Sequence, residues 1–183
     1  MMTLPGTTIE VSELKKNCSR ALFDGIFAAG GITLSQVSIM TGLEPYHIQN
    51  WVKRGFVSSP VRRQYTKSQF ARIVCINFLK DSLPLEGACR LISYLNGDLS
   101  DQSDDRIDDS ELYHLFVNLL SLLPYASLDE AAVKEATSLA LEDYSETVDG
   151  VKSKLFEVLQ IMAWGHIASR ARRTAEMQLS SLE

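Results

Sequence analysis

Residues 32–95 read ITLSQVSIMTGLEPYHIQNWVKRGFVSSPVRRQYTKSQFARIVCINFLKDSLPLEGACRLISYL. Thr33 followed by Gln36 has the form of a capping box, in which each side chain satisfies the other residue's backbone N–H. Leu34, Val37 and Met40 then share one helical face, and Gly42 stands where a helix ends in a left-handed residue. Pro45 suits the first turn of a second helix, which runs to Arg54 and is stopped by Gly55. Ile48, Trp51 and Val52 lie on one side of it, so Tyr46, Gln49, Asn50 and Lys53 point the other way. Two short helices across a tight glycine-containing turn predict a helix-turn-helix.

The charge pattern sharpens that expectation. Residues 45–80 hold Lys53, Arg54, Arg62, Arg63, Lys67, Arg72 and Lys80 and no Asp or Glu. The window therefore carries +7, whereas the other 11 basic and 23 acidic residues leave −12 on the rest of the chain. Solvated faces usually mix both signs, so a segregation this sharp points to a phosphate-facing surface. Phe56 and Val57 read as one short strand and residues 61–65 as its return, with a turn at Ser58, Ser59 and Pro60. Arg62 and Arg63 on the return strand are placed to straddle a phosphate. Thr66 and Gln69 form a second capping box before an almost wholly apolar helix, expected to be the central support. A further helix starts near Pro84 and buries Leu85, Ala88, Leu91, Ile92 and Leu95.

In this order the residues resemble the DNA-binding domain of MerR-type regulators. Thr41-Gly42-Leu43 stands at that family's turn, and residues 51–56 match its run from an aromatic residue to Gly and a hydrophobic residue. Arg63-Gln64-Tyr65-Thr66 matches its wing motif, and Leu83-Pro84-Leu85-Glu86 the start of its next helix. The same residues resemble an uncharacterised bacterial domain-of-unknown-function family with a MerR-like winged helix-turn-helix. The resemblance covers about a third of the chain. It implies a DNA-binding transcriptional regulator with its second helix in the major groove. Gln49, Asn50 and Trp51 depart from the Arg-then-aromatic pattern of such recognition helices, and Arg62 replaces a frequent wing aromatic. No long dimerising helix follows Leu95, so the usual promoter-twisting mechanism does not follow from the resemblance.

Length and composition set the outer bounds. A chain of 183 residues with 45% hydrophobic residues makes one domain or two small ones with a substantial core. No 18-residue apolar run suggests a membrane span, and the N-terminus lacks the basic start and apolar core of a signal peptide. Cys18, Cys75 and Cys89 are odd in number and far apart on helical patterns, as reduced thiols in a cytoplasmic protein would be.

The segments then read as follows. Residues 1–31 are a loose lead-in and a helix from Val11 to Ala29, which packs on the C-terminal helices. Lys15, Lys16 and Arg20 fit a solvated face. Residues 32–96 are the helix-turn-helix unit and residues 97–109 an acidic linker. Counted from Asp101, the linker has Arg106 and Leu112 where a calcium loop needs Gly and Glu, so it fails that test. Residues 110–183 are a helical region for dimerisation or effector binding. Its first two helices are capped by Ser110 and by a Ser127/Glu130 box, and the last runs from about Asp149 to near Ser180. The last helix carries Val151, Leu155, Val158, Leu159, Met162 and His166 near heptad spacing, which suits either a dimer seam or packing on its own neighbours.

The expected fold is all-α with a short β wing: a winged helix-turn-helix plus a C-terminal helical bundle. The expected partner is double-stranded DNA, with a homodimer through the C-terminal helix and an unidentified effector as further candidates. Tyr46, Gln49 and Asn50 are the candidate base contacts, Gln and Asn suiting adenine. His47, Lys53, Arg54, Arg62, Arg63, Tyr65 and Lys67 are the candidate phosphate contacts. No metal-ligand spacing, phosphate loop or nucleophile elbow is present, so no metal, cofactor or enzymatic activity is expected. The alternative is a protein-interaction module that presents the same face without specific DNA binding.

Overall fold

Along the chain the elements are β1 (Met2–Thr3), β2 (Glu10–Val11), α1 (Cys18–Ile26), β3 (Ile32–Thr33), α2 (Leu34–Thr41) and α3 (Pro45–Lys53). β4 (Gln64–Tyr65), α4 (Lys67–Leu79), α5 (Leu85–Asn96), α6 (Asp109–Leu122), α7 (Glu130–Ala140) and α8 (Val151–Ser180) follow. The computed structural model describes residues 2–96, 106–124, 128–146 and 148–182. Most of the described chain is helical, as an all-α reading requires, with two small two-stranded sheets.

α4 is the hub. Its start is fixed by the capping box at Thr66 and Gln69, and residues 69–79 are all buried. A helix apolar on every side needs neighbours on every side, and α4 packs against α2, α5, α6 and α8. Phe70 meets Phe23 of α1 at 5.1 Å between ring centroids, and Phe78 stacks on Phe116 of α6 at 4.6 Å. α6 is buried almost as completely, against α1, α4, α7 and α8. One continuous core thus runs from Leu4 to Ala163, through both the 32–96 stretch and the C-terminal helices.

The N-terminal residues are more ordered than a lead-in. β1 pairs antiparallel with β2, Met2 opposite Val11. Leu4 is fully buried, and the Tyr113 hydroxyl donates to the Pro5 carbonyl at 2.9 Å. Gly6 has φ +73° and lies so close to α4 that a Cβ would sit 2.3 Å from the Val74 carbonyl oxygen, so no other residue fits. Residues 11–17, expected as helix, hold β2 and a turn in which Asn17 is left-handed and donates its N–H to Asn118 Oδ1. Strands of two residues are too short to leave an alternating pattern, which is why sequence missed them. α1 does pack on α6, as expected. Lys15, Lys16 and Arg20 each meet a carboxylate, on Glu13, Asp143 and Glu111.

In the acidic segment, residues 97–105 lie outside the described residues, and with them the calcium-loop candidate at Asp101. Asp108 caps α6 by accepting from the Ser110 N–H at 2.8 Å, a role expected of Ser110 itself. Ser127 lies outside the described residues; α7 is capped by Asp129, which accepts from the Ala132 N–H. On α8, Val151, Leu155, Val158, Leu159 and Met162 are buried in the chain's own core, and His166 is half-buried. Of the two uses open for that stripe, intramolecular packing takes it. Cys75 and Cys89 are buried and free, and Cys18 is half-buried and free. No helix among the described residues is long and apolar enough to cross a membrane.

Candidate nucleic-acid interface

The candidate surface is built from α2, α3 and the hairpin that follows. α2 is opened by the capping box of Thr33 and Gln36 and closed by Gly42 at φ +69°. Thr8 of the N-terminal hairpin covers its free end, its N–H and hydroxyl donating to the Met40 and Ile39 carbonyls at 2.8 Å each. Inside the turn, Ser38 Oγ donates to the Leu43 carbonyl at 2.6 Å. Three residues separate α2 from Pro45, which opens α3. Ile48 and Trp51 are buried and hold α3 against the core. The opposite face is open: Tyr46 is 64% exposed, His47, Gln49 and Lys53 are exposed, and Asn50 is half-buried. The Tyr46 and His47 rings lie 4.4 Å apart, so the two act as one aromatic ledge at the start of α3.

α3 ends in a Schellman motif. The Phe56 N–H reaches back to the Trp51 carbonyl and the Gly55 N–H to that of Val52, with Gly55 at φ +72°. This aims the Phe56 carbonyl at Arg72 of α4, whose Nε donates to it at 2.8 Å. The guanidinium of Arg72, only 2% exposed, also donates to Ser93 Oγ of α5 at 2.9 Å and to Asp109 of α6 at 3.1 Å. Asn96 completes the clamp by donating to the other Asp109 oxygen. Burial pushes the Asp109 carboxyl up, against the pull of Arg72. Arg72 is thus the rivet that joins the end of α3 to α4, α5 and α6.

The hairpin differs from the expected wing. Residues 56 and 57 form no strand; Val57 is buried, and β4 pairs instead with β3, Ile32 opposite Tyr65. Gly31 permits that approach, since a Cβ there would meet Gln64 Cβ at 2.9 Å. Gln69 anchors the base of the hairpin by donating to the Ser58 and Ser59 carbonyls. At the tip, the Gln64 N–H closes on the Val61 carbonyl at 2.9 Å, with Arg62 at φ +51° and Arg63 at φ +64°. Two left-handed central residues make a type I′ turn, a conformation that favours Asn and Gly and costs other residues about 1–2 kcal/mol each. Two arginines held this way project their side chains from the tip of a strained turn.

The seven cations of residues 45–80 do not form one surface. Arg72 is buried against Asp109. Arg54 pairs with Glu86 at 2.6 Å and lies over the Phe56 ring, Lys67 pairs with Asp24 at 2.9 Å, and Lys80 pairs with Asp81 at 3.4 Å. Tyr65, expected at a phosphate, is 3% exposed and belongs to the core, so it leaves the candidate set. Among the described residues, no carboxylate pairs with Lys53, Arg62 or Arg63. A groove of about 390 Å³ lined by Leu34, Gln49, Val52, Pro60, Arg63 and Tyr65 runs between α3 and the hairpin. It brings a candidate base contact, Gln49, and a candidate phosphate contact, Arg63, to one face. No cluster of three metal-ligating side chains occurs among the described residues.

The described geometry is a mostly helical unit that presents one exposed short helix beside a cationic hairpin tip. Residues 32–116 match the family model described as Domain of unknown function (DUF1836). That match takes in α2 to α5 and the first half of α6, the elements joined through Arg72 and Asp109. No curated protein and no solved structure matches the chain.

Proposed function

We propose that the protein is a DNA-binding regulator of transcription, MerR-like in its winged helix-turn-helix, with α3 as the recognition helix in the major groove. The observation that carries this reading is the groove where Gln49 of α3 meets Arg63 of the hairpin tip, with Lys53, Arg62 and Arg63 unmatched by any described carboxylate. In a chain of net charge −5 such a patch has a use, because phosphates reward free cations with released counterions. Tyr46, Gln49 and Asn50 face base edges in this reading, and Lys53, Arg62 and Arg63 hold the backbone. His47, Arg54 and Lys67 remain at its margin, the last two partly neutralised by their partners. Pairing of two copies has support on α8: Ile161, Trp164, Ala168, Ala171 and Ala175 are exposed at heptad spacing, a different stripe from the one the core consumes. Light scattering tests that part.

Fragments selected from a random duplex pool, followed by fluorescence anisotropy at several salt concentrations, test the whole. A preferred sequence with affinity falling as salt rises supports the reading. Salt-independent binding, or no duplex bound at low salt, sinks it and favours a protein-interaction module on the same face.

A further inference from the structure

α8 outruns the body of the protein. Its first half is built into the core through Val151, Leu155, Val158 and Met162, whereas residues 170–180 are exposed without exception. A helical run this short gains little from its own hydrogen bonds; helices in proteins are held chiefly by packing an apolar face. One side of the run carries Ala171, Ala175 and Leu179, which continue the exposed stripe that begins at Ile161 and Trp164. Met177 lies on the other side.

Beside the stripe lies a groove of about 760 Å³ between α5 and α8, with Leu83, Pro84, Leu91, Tyr94, Val158 and Ile161 among its walls. Ile161 belongs to both, so groove and stripe form one surface. Tyr94, Ile161 and Trp164 are between 40% and 48% exposed. Large apolar and aromatic side chains left open together mark a contact surface. At its rim the Tyr94 hydroxyl donates to Glu157 at 3.4 Å, and the Lys154 ammonium stands 4.8 Å from the Tyr94 ring centroid.

We propose that this surface is filled by α8 of a second copy, packed antiparallel, so that the exposed end of each α8 covers the groove of the other copy. The order of residue sizes selects the partner and its direction. The stripe is large at Ile161 and Trp164 and small at Ala168, Ala171 and Ala175. Antiparallel pairing sets Ile161 against the partner's Ala171 and Trp164 against the partner's Ala168, and large against small is how facing layers interdigitate. Parallel pairing sets Trp164 against its own copy and alanine against alanine, which holds the helices apart at one layer and requires close approach at the next three. A shift of one heptad sets Ile161 against Trp164 or against Gln178, so the register is selected as well. In that register the partner's Arg172 comes beside Glu157, and opposite charges meet at the rim. The partner's Leu179 is carried towards Tyr94. This deepens the pairing of copies proposed above and is independent of the DNA reading.

Full-length variants with one added cysteine read the orientation. Positions 161 and 171 are about 15 Å apart on one helix, beyond the reach of a disulfide, so a bridge between them reports two copies. Ile161→Cys mixed with Ala171→Cys and oxidised should give a dimer on a non-reducing gel, and either variant alone should give no more than the parent chain. Sedimentation then measures the dissociation constant. Trp164→Ala and Leu179→Gln should each raise it about tenfold, whereas Met177→Gln, on the far side of the same helix, should leave it unchanged; circular-dichroism melts confirm that each variant folds. Ile161→Cys bridging to itself, a dimer whose mixed variants do not bridge, or equal effects of Leu179→Gln and Met177→Gln overturns the antiparallel seating and leaves pairing as such intact. A chain that stays monomeric at every concentration overturns both together.

Discussion

The tip of the hairpin and the body of α4 lie within ten residues of each other and carry the same kind of charge, yet their arginines have opposite fates. Arg62 and Arg63 are exposed and unmatched by any described carboxylate, on a backbone that L-residues adopt reluctantly. Arg72 is buried, with its donors spread over α5, α6 and the loop after α3. Charge counted along a chain is therefore not charge displayed on a surface. The carboxylates that answer this window, Asp24, Asp81, Glu86 and Asp109, all lie outside it in sequence.

The widest gap between the two regions should appear in stability. Arg72→Met leaves Asp109 buried beside Asn96 without its cation, and removing one partner of a buried pair costs about 3–5 kcal/mol. Urea unfolding should show that loss, and the double variant Arg72→Met, Asp109→Leu should recover a large part of it. A loss for Arg72→Met no larger than that of Arg63→Ala would break the distinction between rivet and tip.

A second effect arises one layer deeper, at His114 of α6. The ring is fully buried, its Nδ1 lies 2.9 Å from Ser19 Oγ, and its Nε2 has no partner among the described residues. Burial first, then the cations Arg20 and Lys67, bring its pKa from 6.5 down to about 4. The folded pKa lies below the unfolded one, so the unfolded chain takes up the proton first. Stability is whole above about pH 7, falls as pH drops from 6.5 towards 4, and levels off below that as far as this group is concerned. The group's share of that fall is about 3 kcal/mol. Denaturant midpoints at pH 7 and pH 4.5 measure it, and His114→Gln should remove this group's share of the difference, leaving the share of His166, which burial and the cations Arg170 and Arg173 also bring down to about 4. The same slope in the variant would remove His114 as its source.

How much of this was legible in sequence follows the range of each interaction. The boxes at Thr33 and Thr66, the turn at Gly42 and the stop at Gly55 depend on neighbours within a few residues, and all formed where the letters put them. The order of helices and the burial of α4 were legible for the same reason, since periodicity is local. The N-terminal hairpin was not: Leu4 and Gly6 derive their meaning from Tyr113 and Val74, far along the chain. Nor was the role of Arg72, which read as one more cation until α6 brought Asp109 to it. At the candidate site, Gln49, Asn50 and Tyr46 were placed on an open face by helical spacing alone. Tyr65 was misplaced because a strand of two residues hides which face its side chain takes.

The tip offers a test in which stability and binding move in opposite directions. Arg62→Gly with Arg63→Gly relieves two left-handed residues and should stabilise the fold by about 2–4 kcal/mol, less the entropy glycine restores to the unfolded chain. Duplex affinity should fall across all sequences, with the salt slope shallower by about two counterions. Stabilisation without weaker binding would separate the strain from the proposed use of the arginines.

The smallest effect is expected where a cation of the same window is already answered. Arg54 sits beside Lys53 at the end of α3, but its guanidinium is held by Glu86 and the Phe56 ring. An exposed pair of this kind adds little, because water screens it and ordering two long side chains offsets the attraction. Arg54→Gln should therefore leave the unfolding midpoint and the salt slope of duplex binding nearly unchanged, while Lys53→Gln one position earlier should lower the slope by about one counterion. The comparison holds helix, position and charge almost constant and varies only whether a carboxylate stands opposite. Equal slopes for the two variants would mean that the ion pair opens on contact with phosphate, and that the sequence count of cations was the better guide to the surface after all.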